Sequence, residues 1–418
     1  MKHRLQFPLF LSTFFTPIPY LGLASVLGMR DLIVLIKRKN RFLNYLIANS
    51  VFLIILVLIA NLTNEVRLSY EEMKRLAVLV CSLTTGLYFI ARVDIGNYDT
   101  KQRNKVILIL SLGWLISSKV FWKLPSTLQY ANYSWFKFAG ASALILFALQ
   151  VYMVSRFRNS VLVWIFLGIL LTSISILNDA KSIAIHMLIL IFLRLGLTNE
   201  FRTRKGILNN VVNNRYRVAR TIIVTLIMVS TIIFMAQSGL LGLRAEALSG
   251  QYGNNLSGLL FRARPEFTFS LQILQNLPFL GYGTIADPYN HIHLQIVSSS
   301  TLTGPEQHFL LNRILLNGFN LHSWAFDLVA RAGFLCFLPI FLYSIQLIRS
   351  IFSLELIAKY PGLTYISIVC LEDLFFSPYS WFVSIQIALS FLGIYLTHSL
   401  SKTSNESGKI VKFKHHND

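Results

Sequence analysis

The sequence predicts an all-α, polytopic membrane protein with about twelve transmembrane helices and one large external region. Three observations lead there. Of 418 residues, 54% are hydrophobic and only 13% charged, against about 25% charged in an ordinary soluble domain. Mean hydropathy is +0.58. The apolar runs are long and do not alternate, so they read as helices rather than as strands of a barrel.

Taken in order, the spans fall at residues 42–61, 76–91, 106–122, 135–155, 161–177, 183–197, 221–236, 324–347, 363–376 and 381–397. Each approaches the roughly 17 to 25 residues needed to cross a bilayer. The stretch 7–36 contains Pro17 and Pro19 and is basic at both ends. It reads as two short crossings or a re-entrant hairpin. With two crossings, both termini face the same side. The chain then divides into an N-terminal transmembrane bundle (1–236), an external region of short helices (237–321), C-terminal transmembrane helices (322–400) and a cytoplasmic tail (401–418), solvated and disordered from Lys402 onward.

The formal charge of +20 is not a nucleic-acid signal, because the basic residues do not form an aromatic-laced patch. They punctuate the apolar runs. One loop carries Lys37, Arg38, Lys39 and Arg41, and the next Arg92, Lys101, Arg103 and Lys105. Arg156 and Arg158 follow, then a basic run from Arg202 to Arg220, then Arg349 and Lys359, and finally the tail lysines. Alternating crossings put all these loops on one side, the cytoplasm by the positive-inside rule. Residues 237–321, the connection 178–181 and the turn 372–380 then lie outside.

Other classes lack their signatures. There is no phosphate-binding glycine loop, dinucleotide fingerprint or His-Glu-x-x-His. No internal repeat suggests an inverted-repeat transporter, and no signal peptide with a small-residue cleavage site is evident. The three cysteines, Cys81, Cys336 and Cys370, sit in apolar segments without metal or disulfide spacing. His291 and His293 have no companion ligands at metal spacing and read as a solvated loop.

Polar residues at the external side gather in four places: "NDAKS" (178–182), "FRARPEFTFSLQILQNLPFLGYG" (261–283), "NLHSWAFDLVARAG" (320–333) and "LEDLFFSPYSW" (371–381). Ionisable groups at membrane depth are expensive and by default functional. Asp327 and Arg331 are four apart and pair across one helical turn. At helical spacing His322, Phe326, Val329 and Gly333 share a face. Glu372 and Asp373 read as capping or solvating a helix end, and stand next in line as supporting acid–base groups.

The second and third stretches resemble the O-antigen ligase and polysaccharide polymerase (Wzy-type) superfamily. Its members have an arginine and an aromatic opening an amphipathic helix, then Pro-x-x-Gly-x-Gly. After an external insert come a His-polar pair, a glycine eleven residues beyond the histidine, and an apolar helix. Here Phe267, Pro278, Gly281, Gly283, His322-Ser323 and Gly333 take those places. Ala180-Lys181 stands where the family has a Ser/Thr-Arg pair. The departures are Lys181 for arginine, Ser323 for the commoner asparagine, and an arginine register that falls on Ala263, so that Arg262 or Arg264 fills the role.

The resemblance implies a GT-C-like fold and metal-independent, cofactor-free glycosyl transfer. The donor is a polyprenyl-diphosphate-linked glycan on the outer face of the inner membrane. The acceptor is a growing glycan in a polymerase, or lipid A-core in a ligase. A lipid-linked glycan flippase is the alternative of another class, and a chain-length regulator is an expected protein partner. The chemistry suits the residues. The diphosphate leaving group needs cations, supplied by Lys181 and by Arg262 or Arg264. The acceptor hydroxyl needs a base, and an imidazole with an ordinary pKa near 6.5 serves at neutral pH, which assigns that role to His322.

Overall fold

The computed structural model describes residues 40–63, 70–94, 98–120, 140–178, 180–203, 279–281, 323–376 and 383–414. Those residues are mostly helical, and no strand occurs among them. The helices are α1 (Arg41–Thr63), α2 (Tyr70–Asp94), α3 (Thr100–Val120), α4 (Ala141–Val154), α5 (Val161–Leu177) and α6 (Lys181–Thr203). There follow α7 (Trp324–Ala332), a 3-10 turn (Phe334–Cys336), α8 (Phe337–Ile351), α9 (Leu354–Lys359), α10 (Pro361–Phe376) and α11 (Val383–Lys414). The predicted spans at 221–236 and within 7–36 lie outside the described residues. Arg41–Ala60 and Phe334–Ile351 are long and apolar enough to cross a membrane, and shorter apolar stretches lie in α2, α4, α5, α6 and α11.

The helices fall into two compact units. The first holds α1, α2, α7, most of α8, the end of α10 and α11. Its core is built on α2 against α11, where Gly86 lets the backbone approach Phe391 and Ala388. Tyr343 sits at the centre. Its hydroxyl bonds the buried Ser390 hydroxyl, and its ring lies edge-on to Trp324 and tilted against Phe391. At one end of this unit Phe42 stacks on His398, with ring centroids 4.1 Å apart, and Thr397 donates to Ser350 at 3.3 Å. Phe42 and Ser350, the chain neighbours of Arg41 and Arg349, thereby meet adjacent residues of α11.

The second unit holds α3, α4, α5, α6, α9 and the start of α10. α5 and α6 form a hairpin closed by a tight connection in which Ala180 N–H bonds Ser175 O at 2.8 Å. Gly168 admits the Ile191 side chain where a Cβ would stand. A buried cation, Arg194, joins α6 to the α4–α5 connection. Its guanidinium lies over the Trp164 and Tyr152 rings at 4.3 and 5.0 Å and donates to Arg158 O at 3.1 Å.

α5 is inverted relative to a helix on a water-soluble domain. Gly168, Thr172 and Ser175 are buried, whereas Leu162 is 80% and Phe166 68% exposed, with Ile169 and Leu170 also outside. Trp164 and Leu171 are buried beside these small and hydroxylated residues, while most of the other large apolar side chains face outward. In water such a face is a large exposed apolar patch. In lipid it is the expected arrangement, because hydrocarbon solvates the large side chains and small residues let helices approach.

Candidate functional site

The region around the His-polar pair is built on α7. Ser323, with φ −147° and ψ 116°, is its N-cap. The Ser323 hydroxyl accepts the N–H of Phe326 at 3.3 Å and donates to Leu374 O on α10, also at 3.3 Å. One serine thus satisfies an orphan donor of α7 and ties that helix start to α10 just after Glu372 and Asp373. Both acids are half-buried on α10, inside a helix that continues to Phe376.

The expected Asp327–Arg331 pair is present, with Nε to Oδ2 at 2.9 Å. Both side chains are largely buried, at 8% and 11% exposure. The acid lies in the first turn of α7 and the base in the last, so each also complements the helix dipole. This pair stiffens the short helix.

Two sequence expectations are corrected here. Residues 324–347 do not form one continuous helix. α7 stops at Ala332 and the chain turns at Gly333, with φ +83° and ψ −180°, a conformation reserved for glycine. The shared face of His322, Phe326, Val329 and Gly333 also fails. Gly333 lies beyond the last helical residue, and the extended Ser323 breaks the register before the first, so the eleven-residue spacing is not a helical-wheel relation.

Gly333 instead makes a tertiary contact. Gly281 also has positive φ, +74°, and its backbone lies directly against Gly333. A Cβ on Gly281 would stand 2.5 Å from Gly333 N, and one on Gly333 would stand 2.7 Å from Gly281 N. Phe334 N–H bonds Phe279 O at 3.3 Å. The last glycine of the third stretch and the first glycine of the second thus form a side-chain-free clasp at the corner between α7 and α8.

Several candidate residues lie outside the described residues: His322, Arg262, Arg264, Phe267, Pro278, Gly283, His291 and His293. Lys181 is the first residue of α6, directly after the buried Ala180. Among the described residues no group of three or more His, Cys, Asp or Glu is arranged to hold a metal ion. Sequence reasoning missed the clasp itself and the Ser323–Leu374 link. Two glycines flanked by apolar helix formers were the only available signal for the first. A serine hydroxyl with a distant carbonyl partner leaves none. Comparison of the chain with protein-family models, with curated proteins and with solved structures finds no match.

Proposed function

We propose that the chain is a multi-pass glycosyltransferase of the bacterial inner membrane, resembling the O-antigen ligase and polysaccharide polymerase superfamily. In this reading it polymerises polyprenyl-diphosphate-linked repeat units on the outer face, through about twelve crossings and with both termini cytoplasmic. The observation that carries the reading is the Gly281–Gly333 clasp. Residues related in the sequence only by a family-like spacing meet at one corner, beside the helix that follows His322. The inverted burial of α5 supports the membrane setting. The chain neighbours of Arg41 and Arg349, Phe42 and Ser350, both contact the same stretch of α11 at His398 and Thr397, which fits the positive-inside orientation.

In this mechanism His322 takes the proton of the acceptor hydroxyl as that oxygen bonds the anomeric carbon and the bond from this carbon to the diphosphate oxygen breaks. Lys181, with Arg262 or Arg264, holds the charge that develops on the leaving group. Glu372 and Asp373 support the base from α10. A glycan-ladder assay in a deletion strain tests the function. Loss of long chains on deletion, restored by the gene, is the expected result. Intact lipid-linked polymer that no longer reaches lipid A-core would mean a ligase, and lipid-linked units trapped on the cytoplasmic face a flippase. Unchanged glycans would refute all three.

A further inference from the structure

Arg194, on α6 in the second unit, is only 8% exposed, and no carboxylate among the described residues pairs with it. Its terminal nitrogens donate to a thioether, Met153 Sδ at 3.4 Å, and to one carbonyl, Arg158 O at 3.1 Å. Trp164 and Tyr152 offer it ring faces. The Tyr152 hydroxyl is spent on Ser160 O at 3.1 Å, so it brings no negative charge. Ring faces attract a cation, but a buried charge without a counter-charge remains costly. The group beside it has a matching deficit. Trp164 is 2% exposed, and its indole N–H meets no acceptor among the described residues. The guanidinium carbon lies 4.3 Å from that ring's centre. Guanidinium and indole are donors only, and a cation beside an orphan donor asks for an oxyanion. The pair also stands near a helix end. The carbonyl that Arg194 reaches belongs to the connection between α4 and α5, where Arg156 and Arg158 are exposed, and Trp164 lies in the first turn of α5.

We propose that Arg194, Trp164 and Arg158 bind the phosphate of one anionic phospholipid of the cytoplasmic leaflet. The inference rests on the membrane setting and orientation of the proposed function and not on glycosyl transfer. In that orientation the connection between α4 and α5 is cytoplasmic, and this end of α5 meets the head-group layer, where tryptophan and arginine are favoured. A phosphate accepts from a guanidinium in a charge-assisted, bidentate fashion, and its remaining oxygens are acceptors for the indole N–H. The head must be net negative. With cations on the connection and no paired carboxylate beside them, the ammonium of a zwitterionic head is repelled, whereas phosphatidylglycerol brings phosphate without ammonium.

The test is native mass spectrometry of the full-length protein released from detergent, with phosphatidylglycerol, phosphatidylcholine or inorganic phosphate titrated in. The expected result is one retained phosphatidylglycerol, held more tightly than phosphatidylcholine. Trp164→Phe keeps a ring under the guanidinium and removes the orphan N–H, and should weaken that binding about tenfold, as for a hydrogen bond to a charged group. Arg158→Gln changes an exposed side chain, leaves the fold intact, and should weaken it about fivefold, the share of one interfacial cation. Phosphatidylglycerol held no more tightly than phosphatidylcholine would overturn the proposal, and so would wild-type affinity in either variant. Inorganic phosphate that binds as tightly as the lipid would mark a free-phosphate site and overturn it as well. Because the readout is a bound mass, a protein without polymerase activity still gives the answer, and thiol labelling of intact cells reports the orientation separately.

Discussion

Replacing Gly333 with alanine attacks the clasp at its tightest point. The backbone there, φ +83° and ψ −180°, costs a non-glycine residue about 1–3 kcal/mol. The new methyl would also press on Phe279 O and stand 2.7 Å from Gly281 N and Leu280 C. These are backbone atoms with no rotamer to escape into, so overpacking adds about 1–3 kcal/mol. The sum, roughly 2–6 kcal/mol, exceeds what a 3.3 Å bond from Phe334 to Phe279 returns, about 0.5–1.5 kcal/mol. The corner must therefore open or the first unit must loosen. Displacement of the α7 start by an ångström is enough to cost about 100-fold in rate. Gly86→Ala is the control. A Cβ there would stand 3.0–3.2 Å from the Phe391 side chain and 3.3 Å from Ala388 O, a milder squeeze that about 1 kcal/mol of helix propensity partly offsets. Thermal unfolding of the detergent-solubilised protein and the glycan ladder are measured together. Gly333→Ala should lower the unfolding temperature and shorten the ladder, with Gly86→Ala affected less. A Gly333→Ala protein with wild-type unfolding and a full ladder would refute the reasoning.

Other consequences follow from the same geometry. Asp327→Asn removes the carboxylate that the largely buried Arg331 meets at 2.9 Å and should destabilise, by up to about 3–5 kcal/mol, whereas Asp327→Leu with Arg331→Met should recover much of the loss; equal loss in single and double variants counts against a pair. His322→Gln, which can hydrogen-bond but not take a proton at neutral pH, should reduce chain formation by on the order of 100- to 10,000-fold with protein level intact, and near-normal ladders would leave His322 a positioning group only. Lys181→Ala and Arg264→Ala should each weaken activity while Lys181→Arg is tolerated; full activity in Lys181→Ala combined with Arg262→Ala and Arg264→Ala would end this account of the leaving group. Thiol labelling of intact cells should reach a cysteine placed at Tyr252 or His308 and not at Asn209, over a low background because Cys81, Cys336 and Cys370 are buried; labelling at Asn209 would reverse the orientation.

The sequence by itself determined the helical class and several boundaries. Residues 161–177 are read correctly to the residue as α5, and 363–376 nearly so as α10. Hydropathy runs and flanking charges are local properties that act on the segment carrying them. The Asp327–Arg331 pair was legible for the same reason, since partners four apart on a helix need no tertiary information. The tail shows the limit of this. Its polar composition predicts disorder from Lys402, yet α11 continues to Lys414. Only the tertiary structure decided the break at Gly333. Its neighbours are apolar helix formers, and nothing local forbids a helix through it. The turn exists because Phe279–Gly281 crosses that point and leaves no room for a side chain. The same holds for which face of α5 is buried and for the union of Ser323 with Leu374. Each depends on which distant segment arrives alongside, a property of the folded path rather than of any one stretch of residues.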